Sequence, residues 1–124
     1  MYPTLVALNC LGRTCCINAA TTARGMQQVG LLFVLSPALR WLYPEGAARA
    51  RAFARYGGHS NTHPFMIPLF VGILLSLEEE IAKGTLPESA VSSVRETLAT
   101  TLSALGDSFF SGTLLPLWAL VSVA

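Results

Sequence analysis

An all-helical membrane protein is the fold class that this 124-residue sequence predicts, and three observations carry the prediction. Apolar residues make up 52% of the chain and charged residues only 12%, whereas a typical soluble domain is about 25% charged. A soluble chain this small has a large surface for its volume and needs charge to keep it wetted, so the deficit points to lipid or to a large apolar partner surface. Mean hydropathy is +0.54, which agrees. The apolar residues fall in helix-length runs or at helical spacing, with no strand alternation and no repeat of fixed period. The expected architecture is interfacial amphipathic helices combined with broken or re-entrant hydrophobic helices, in a single domain over residues 1–124.

From the N-terminus, Met1 to Leu8 is apolar but short, without the basic opening or cleavage site of a signal peptide. The first long helix is expected from Thr22 to Tyr43, polar at Met26 and Gln27, crossed by Gly30, and kinked or broken where Pro37 removes an amide donor. Arg40, Trp41 and Tyr43 close it with a basic-aromatic end suited to a membrane interface. A short Ala/Arg helix over Ala47–Tyr56 carries Arg49, Arg51 and Arg55, which favours the cytoplasmic side. Gly57-Gly58 ends it. A polar hinge, His59-Ser60-Asn61-Thr62-His63-Pro64, leads into an apolar run from Phe65 to Leu77. That run is too short for a bilayer, which takes about 20 residues, and suits a re-entrant, interfacial or core helix.

Glu78-Glu79-Glu80 follows at once, and Lys83-Gly84 stops the helix. The next helix opens on Pro87 and Glu88, with Val91, Val94 and Leu98 on one face and Ser92, Arg95 and Glu96 opposite. From Thr97 onward Asp107 is the only charge, and Ala104 to Ser108 is expected to separate two apolar half-helices. The chain stops inside an apolar stretch, which suggests truncation.

The residues with chemistry are few. Glu78 and Glu79 end an apolar helix, and an ionisable group at membrane depth is a functional candidate by default. The competing reading is a solvated acidic cap. Because successive helical residues are 100° apart, the three carboxylates cannot all face inward, and Glu80 is expected to be the solvated one. Asp107 suits capping of the second half-helix, or a place in a translocation path where a broken helix lines a cavity. Asn61 and Thr62 are expected to cap the helix that starts near Phe65. Trp41 and Trp118 are expected at the interface or in the core.

Several classes fall away. A net charge of +1 provides no basic field for nucleic acid. Cys10, Cys15 and Cys16 form an odd, local group that makes a poor disulfide framework and reads as reduced, buried thiols. No metal or cofactor is expected, since His59 and His63 lie far from these thiols and lack the Glu of a zincin motif.

Four motifs in register resemble a known family. Met26-Gln27 with Gly30, then Pro37-Ala38-Leu39 and Leu42-Tyr43-Pro44, resemble the opening of IID subunits of the mannose/fructose/sorbose phosphotransferase family. Asn61-Thr62-His63-Pro64-Phe65 and Leu77-Glu78-Glu79 resemble the next two motifs. Gly106-Asp107-Ser108-Phe109-Phe110 and Gly112-Thr113 resemble the fourth, with Ser111 where the family has Trp. The resemblance runs from about Arg13 to Leu120, so residues 1–12 read as an extension, and the chain reads as the N-terminal half of such a subunit.

The resemblance implies a membrane subunit in the bacterial cytoplasmic membrane, non-catalytic by itself, within a sugar-phosphorylating group-translocation complex. It implies pairing with a IIC subunit that holds most of the hexose site, phosphate supplied through cytosolic IIA and IIB, and a trimer of IIC–IID pairs. On this reading Asn61, His63, Glu78, Glu79 and Asp107 belong to the translocation path or the subunit interface. Met26, Gln27, Gly30, Pro64, Gly106, Ser108 and Gly112 are structural. A non-transporting assembly remnant of a split IID, and a small soluble helical enzyme built on His59, His63 and Glu78–Glu80, remain open beside it.

Overall fold

The computed structural model describes residues 3–123; the first two residues of the N-terminal stretch and the last residue of the chain lie outside this range. Its helices are α1 (Thr4–Arg13), α2 (Gln28–Leu42), α3 (Gly46–Arg55), α4 (Ile67–Ala82), α5 (Glu88–Gly106) and α6 (Leu115–Val123). Two 3-10 segments, Thr14–Ala20 and Pro64–Met66, and a π-helical segment, Asp107–Leu114, complete the order.

The core forms where α1, α2 and α4 press their apolar faces together. Leu31, Val34, Leu35, Ala38 and Leu39 of α2 meet Ile67, Phe70, Val71 and Leu74 of α4, all enclosed, with Cys10 and Ile17 closing one side. The run from Phe65 thus resolves into a 3-10 turn and a core helix, one of the three options its length allowed. Hydrogen bonds at both ends set the directions. Gln27, before α2, bonds Thr62, before α4, and Tyr43, after α2, bonds Glu78 near the end of α4, so α2 and α4 run parallel. Between α4 and α5 lies the turn at Gly84, whose φ of +80° is the left-handed conformation that glycine adopts without a Cβ penalty. There Thr85 N–H bonds Glu80 C=O and Gly84 N–H bonds Ile81 C=O, a Schellman closure of α4. α5 therefore returns antiparallel along α4.

Pro37 lies inside α2, yet the helix continues to Leu42. Proline removes the N–H that would bond the carbonyl four residues back, at Phe33. That carbonyl instead accepts from Arg13 Nη1 at 3.1 Å and from the Ser36 hydroxyl at 2.9 Å, and the Arg13 guanidinium also lies over the Phe33 ring, 4.5 Å from its centroid. The helix is not broken at Pro37, and α1 supplies the donor that proline removes. Gly30 allows the close approach of this corner: a Cβ there would land on the backbone carbonyl of Ile17.

The interruption expected near Asp107 takes the form of a widened helix. Glu88–Val123 is helical throughout, 36 residues, or about 54 Å at 1.5 Å per residue. The π geometry shows in the bond from Leu115 N–H to Phe110 C=O and in the Thr113 hydroxyl, which donates to Ser108 C=O at 3.0 Å. This helix is long and apolar enough to cross a membrane, and only 6% of its apolar window is buried within the chain. Phe109, Leu115, Leu117, Trp118, Leu120, Val121 and Val123 all stand exposed. A continuous exposed apolar surface of this kind marks contact with lipid or with another protein.

The thiols divide. Cys10 is buried, and burial pushes its pKa up; Cys15 and Cys16, expected to be buried, are exposed on the first 3-10 segment, and all three are free.

Candidate functional site

Two cavities lie end to end along one face of the long helix and are together termed the groove. Its lining positions recur every three or four residues, from Glu96 through Ala99, Thr100, Ser103 and Ala104 to Asp107, then from Phe110 through Ser111, Leu114 and Leu115 to Trp118. The opposite wall is the hinge before α4. The first half, a cavity of about 430 Å³, faces His59, Ser60 and Asn61; the second, about 580 Å³, faces His63, Pro64 and Phe65. Polarity therefore changes along the groove, polar beside α5 and apolar beside the π segment and α6.

The change falls at His63 and Asp107. His63 Nε2 lies 4.0 Å from Asp107 Oδ1; the imidazole is 9% exposed and the carboxylate 67%. His63 Nδ1 accepts the Phe65 backbone N–H at 3.4 Å, which leaves the proton of the neutral ring on Nε2, facing Asp107. The ring stacks on Phe110, centroids 5.2 Å apart and planes 12° apart, and Phe65 packs against both. His63, then, caps the helix start, where Asn61 and Thr62 were expected to do so. The Thr62 hydroxyl donates instead to Ala99 C=O at 3.1 Å, tying the hinge to α5, while Asn61 stays exposed in the polar cavity.

Glycine sets the separation. A Cβ on Gly106 would fall on Cβ and Cγ of His63 and 3.0 Å from its Nδ1, so only glycine lets the hinge lie flat on α5 there. Asp107 makes no capping bond and has ordinary right-handed helical angles. Gly112, within the π segment, meets only Asp107 C=O, at 3.5 Å, and Ser108 lends its carbonyl to Thr113.

Beyond the polar end of the groove, the three glutamates separate as the 100° rule requires. Glu78 is wholly enclosed. Its Oε1 accepts from Tyr56 OH at 2.7 Å and Arg55 Nε at 3.2 Å, and its Oε2 from Arg55 Nη2 and Tyr43 OH, both at 2.8 Å. Arg55 Nη1 reaches on to Glu88 at 2.9 Å. One carboxylate thus ties the ends of α2 and α3 to α4, and the arginine extends the tie to the start of α5. Burial, followed by the hydrogen bond to Glu78, pushes the Tyr43 phenol up to about 12 from its ordinary 10.0. Glu79, largely covered, and Glu80, more exposed, both pair with Lys83, at 3.0 and 2.9 Å. The bonds from Lys83 and Thr85 hold the Glu80 carboxyl below its ordinary range.

By its charge, Arg95 is expected on a solvated face. It is buried, its side chain 5% exposed, and its Nη2 lies 3.9 Å from Glu96 while Nε and Nη1 have no acceptor among the described residues. Spacing could have shown this, since Arg95 follows Val91 by four and precedes Ala99 by four, on the buried stripe. Gly58 makes room for its guanidinium; a Cβ there would be 2.8 Å from Nη2. Gly25 and Gln28 complete the hinge contact, with Gln28 Nε2 donating to Gly57 C=O. No group of three or more His, Cys, Asp or Glu able to hold a metal occurs among the described residues.

Fold and groove together define a class: a helical membrane protein in which a long apolar helix is flanked by a small helical domain. Within that class the match is specific. The family model for the PTS system mannose/fructose/sorbose family IID component matches residues 6–124, and the chain belongs to that family. It is 38% identical over 96 residues to the mannose-specific EIID component of the PTS system from Escherichia coli K12, covering 76% of this chain and 34% of that protein. The fructose permease IID component of Bacillus subtilis 168 is 33% identical over 95 residues, with the same coverage. A cryo-EM structure of the mannose transporter ManYZ in complex with microcin E492 (MceA) superposes with a TM-score of 0.89 at 30% identity, over 99% of this chain and 46% of that one. A second solved membrane protein superposes at 0.84 and 28% identity, over 98% of this chain and 45% of its own. This chain therefore spans about a third of the length of the curated relatives it matches.

Proposed function

We propose that this chain is a single-domain portion, residues 1–124, of the membrane subunit of a phosphoenolpyruvate-dependent sugar phosphotransferase transporter, seated in the bacterial cytoplasmic membrane beside a IIC subunit. The observation that carries this reading is the groove whose wall turns from polar to apolar at His63 and Asp107, on a helix of membrane-spanning length. An ionisable residue at the edge of an apolar span, facing a polar cavity, fits a solute path or a polar contact between subunits. Asn61, His63 and Asp107 line that path; Glu79, on α4 beyond the groove, belongs to the subunit interface on this reading. Glu78 holds the frame beneath them through Arg55.

Phosphoryl chemistry lies outside this chain on the proposed reading. IIA and IIB carry the phosphate, IIC holds most of the hexose, and the chain completes the membrane assembly, a trimer of IIC–IID pairs. Arg49, Arg51 and Arg55 sit at the Glu88 end of the long helix, which supports a cytoplasmic position for that end.

Asp107→Asn is expected to lower phosphoenolpyruvate-dependent hexose uptake about tenfold or more, on the scale of losing one charge-assisted hydrogen bond. Co-purification with the IIC subunit is expected to persist. Glu79→Gln is expected to act in the same direction. Normal uptake by both variants would overturn the site; loss of co-purification together with uptake would shift the role to assembly alone.

A further inference from the structure

The groove depends on a residue that does not line it. Gln27 is buried just before α2, and its side chain treats the hinge as a neighbouring strand would. Its Oε1 accepts the Thr62 N–H at 3.0 Å, its Nε2 donates to Thr62 C=O at 3.0 Å, and the same Nε2 reaches Asn18 Oδ1 at 3.0 Å. Its own backbone N–H bonds Ser60 C=O at 2.8 Å. On the far side of the same residue, the Thr62 hydroxyl donates to Ala99 C=O on α5. Thr62 is thus fixed from both directions, by the carboxamide of α2's N-terminus and by the backbone of the long helix. Its neighbours in sequence are Asn61, open to the polar cavity, and His63, stacked in the apolar one.

We infer that Gln27 and Thr62 are positioning residues: they hold Asn61 and His63 at the two halves of the groove, and act on transport only through those side chains. The inference rests on the proposed function, since it needs Asn61 and His63 to serve the path. Glutamine suits the task because a carboxamide alone among side chains of this length both accepts from the peptide N–H and donates to the peptide carbonyl. Glutamate keeps the acceptor and loses the donor. Alanine loses both and leaves two buried peptide groups of Thr62 unpaired. At Thr62, serine keeps the hydroxyl bond to Ala99, and valine keeps the shape without the bond.

The test is hexose uptake by cells carrying the variant chain with its IIC, IIA and IIB partners, with KM, maximal rate and the amount of assembled complex measured together. Gln27→Ala and Gln27→Glu are expected to raise KM about tenfold, the scale of one lost net hydrogen bond, with maximal rate and assembly changed much less. Thr62→Val is expected to do the same and Thr62→Ser to restore uptake. In an Asn61→Ala, His63→Ala background the Gln27→Ala effect is expected to shrink to within about twofold, because residues acting through one another are not additive. Full additivity, or a KM unchanged in both Gln27 variants, would overturn the inference. A fall in assembled complex matching the whole loss of uptake, in Gln27→Glu as well as Gln27→Ala, would overturn it in favour of a purely structural role. Normal uptake in Asn61→Ala and His63→Ala would remove the underlying site reading, and the inference with it.

Discussion

Glu78→Ala is expected to destabilise the chain by roughly 3–5 kcal/mol, the cost of breaking a buried ion pair from one side. The carboxylate is fully enclosed and accepts from Arg55, Tyr43 and Tyr56. Its removal leaves an arginine side chain only 10% exposed with Glu88 as its one remaining carboxylate, itself half in solvent. It also leaves two phenol hydroxyls facing a void. Each of these costs adds to the loss of packing, and they fall where the ends of α2 and α3 meet α4. Glu80→Ala makes the contrast: its pair with Lys83 is solvent-screened and lies within one turn of helix, so its loss is expected to be far smaller than that of Glu78. Thermal unfolding of the purified chain in detergent, followed by circular dichroism, would separate the two classes. Glu78→Leu combined with Arg55→Met should recover much of the loss, since a packed apolar pair replaces a buried ionic one at little cost. A Glu78→Ala variant as stable as Glu80→Ala would contradict the geometry of this network.

Gly106→Ala is expected to destabilise by about 1–3 kcal/mol through overpacking, even though alanine is the better helix former. The added methyl falls on His63 Cβ, which no rotamer change can move away from the backbone. The hinge must lift off α5, and the bond between Thr62 and Ala99 lengthens with it. Gly72 provides the internal comparison, because a Cβ there meets nothing within 4 Å. Gly72→Ala should therefore be neutral or stabilising, by up to about 0.5–1 kcal/mol, from helix propensity alone. The same unfolding measurement on both variants tests this, and equal shifts would contradict the close approach of His63.

The legible part of this molecule was the local part. Lys83-Gly84 and Pro87-Glu88 mark the turn between α4 and α5 because chain ends and turn chemistry act over a few residues. The motif positions Gln27, Gly30, Asn61 and Gly106 were likewise visible, though not what each one does. Bonds between distant positions were not legible. Arg55, Tyr43 and Tyr56 meet Glu78 across 22–35 residues of sequence, and no periodicity reports such a meeting. The helix continues through Pro37 for the same reason, the carbonyl orphaned at Phe33 being served by Arg13, 20 residues earlier. Arg95 is a different case: the buried stripe Val91, Ala99 and Leu102 contains it, and only its charge argues for the solvated face. Cys15 and Cys16 were misplaced because apolar thiols in an apolar chain were assumed to be interior, while the 3-10 segment has room inside for Thr14 and Ile17 only.

Alkaline carbonate extraction of membranes from cells making this chain is the most direct test of its central physical feature, the exposed apolar stretch of the helix that runs from Glu88 to Val123. A span whose apolar side chains meet hydrocarbon stays with the bilayer when peripheral proteins are stripped away. The chain is predicted to remain in the pellet and to need detergent for release. Recovery in the supernatant as a monodisperse species without detergent would contradict the account.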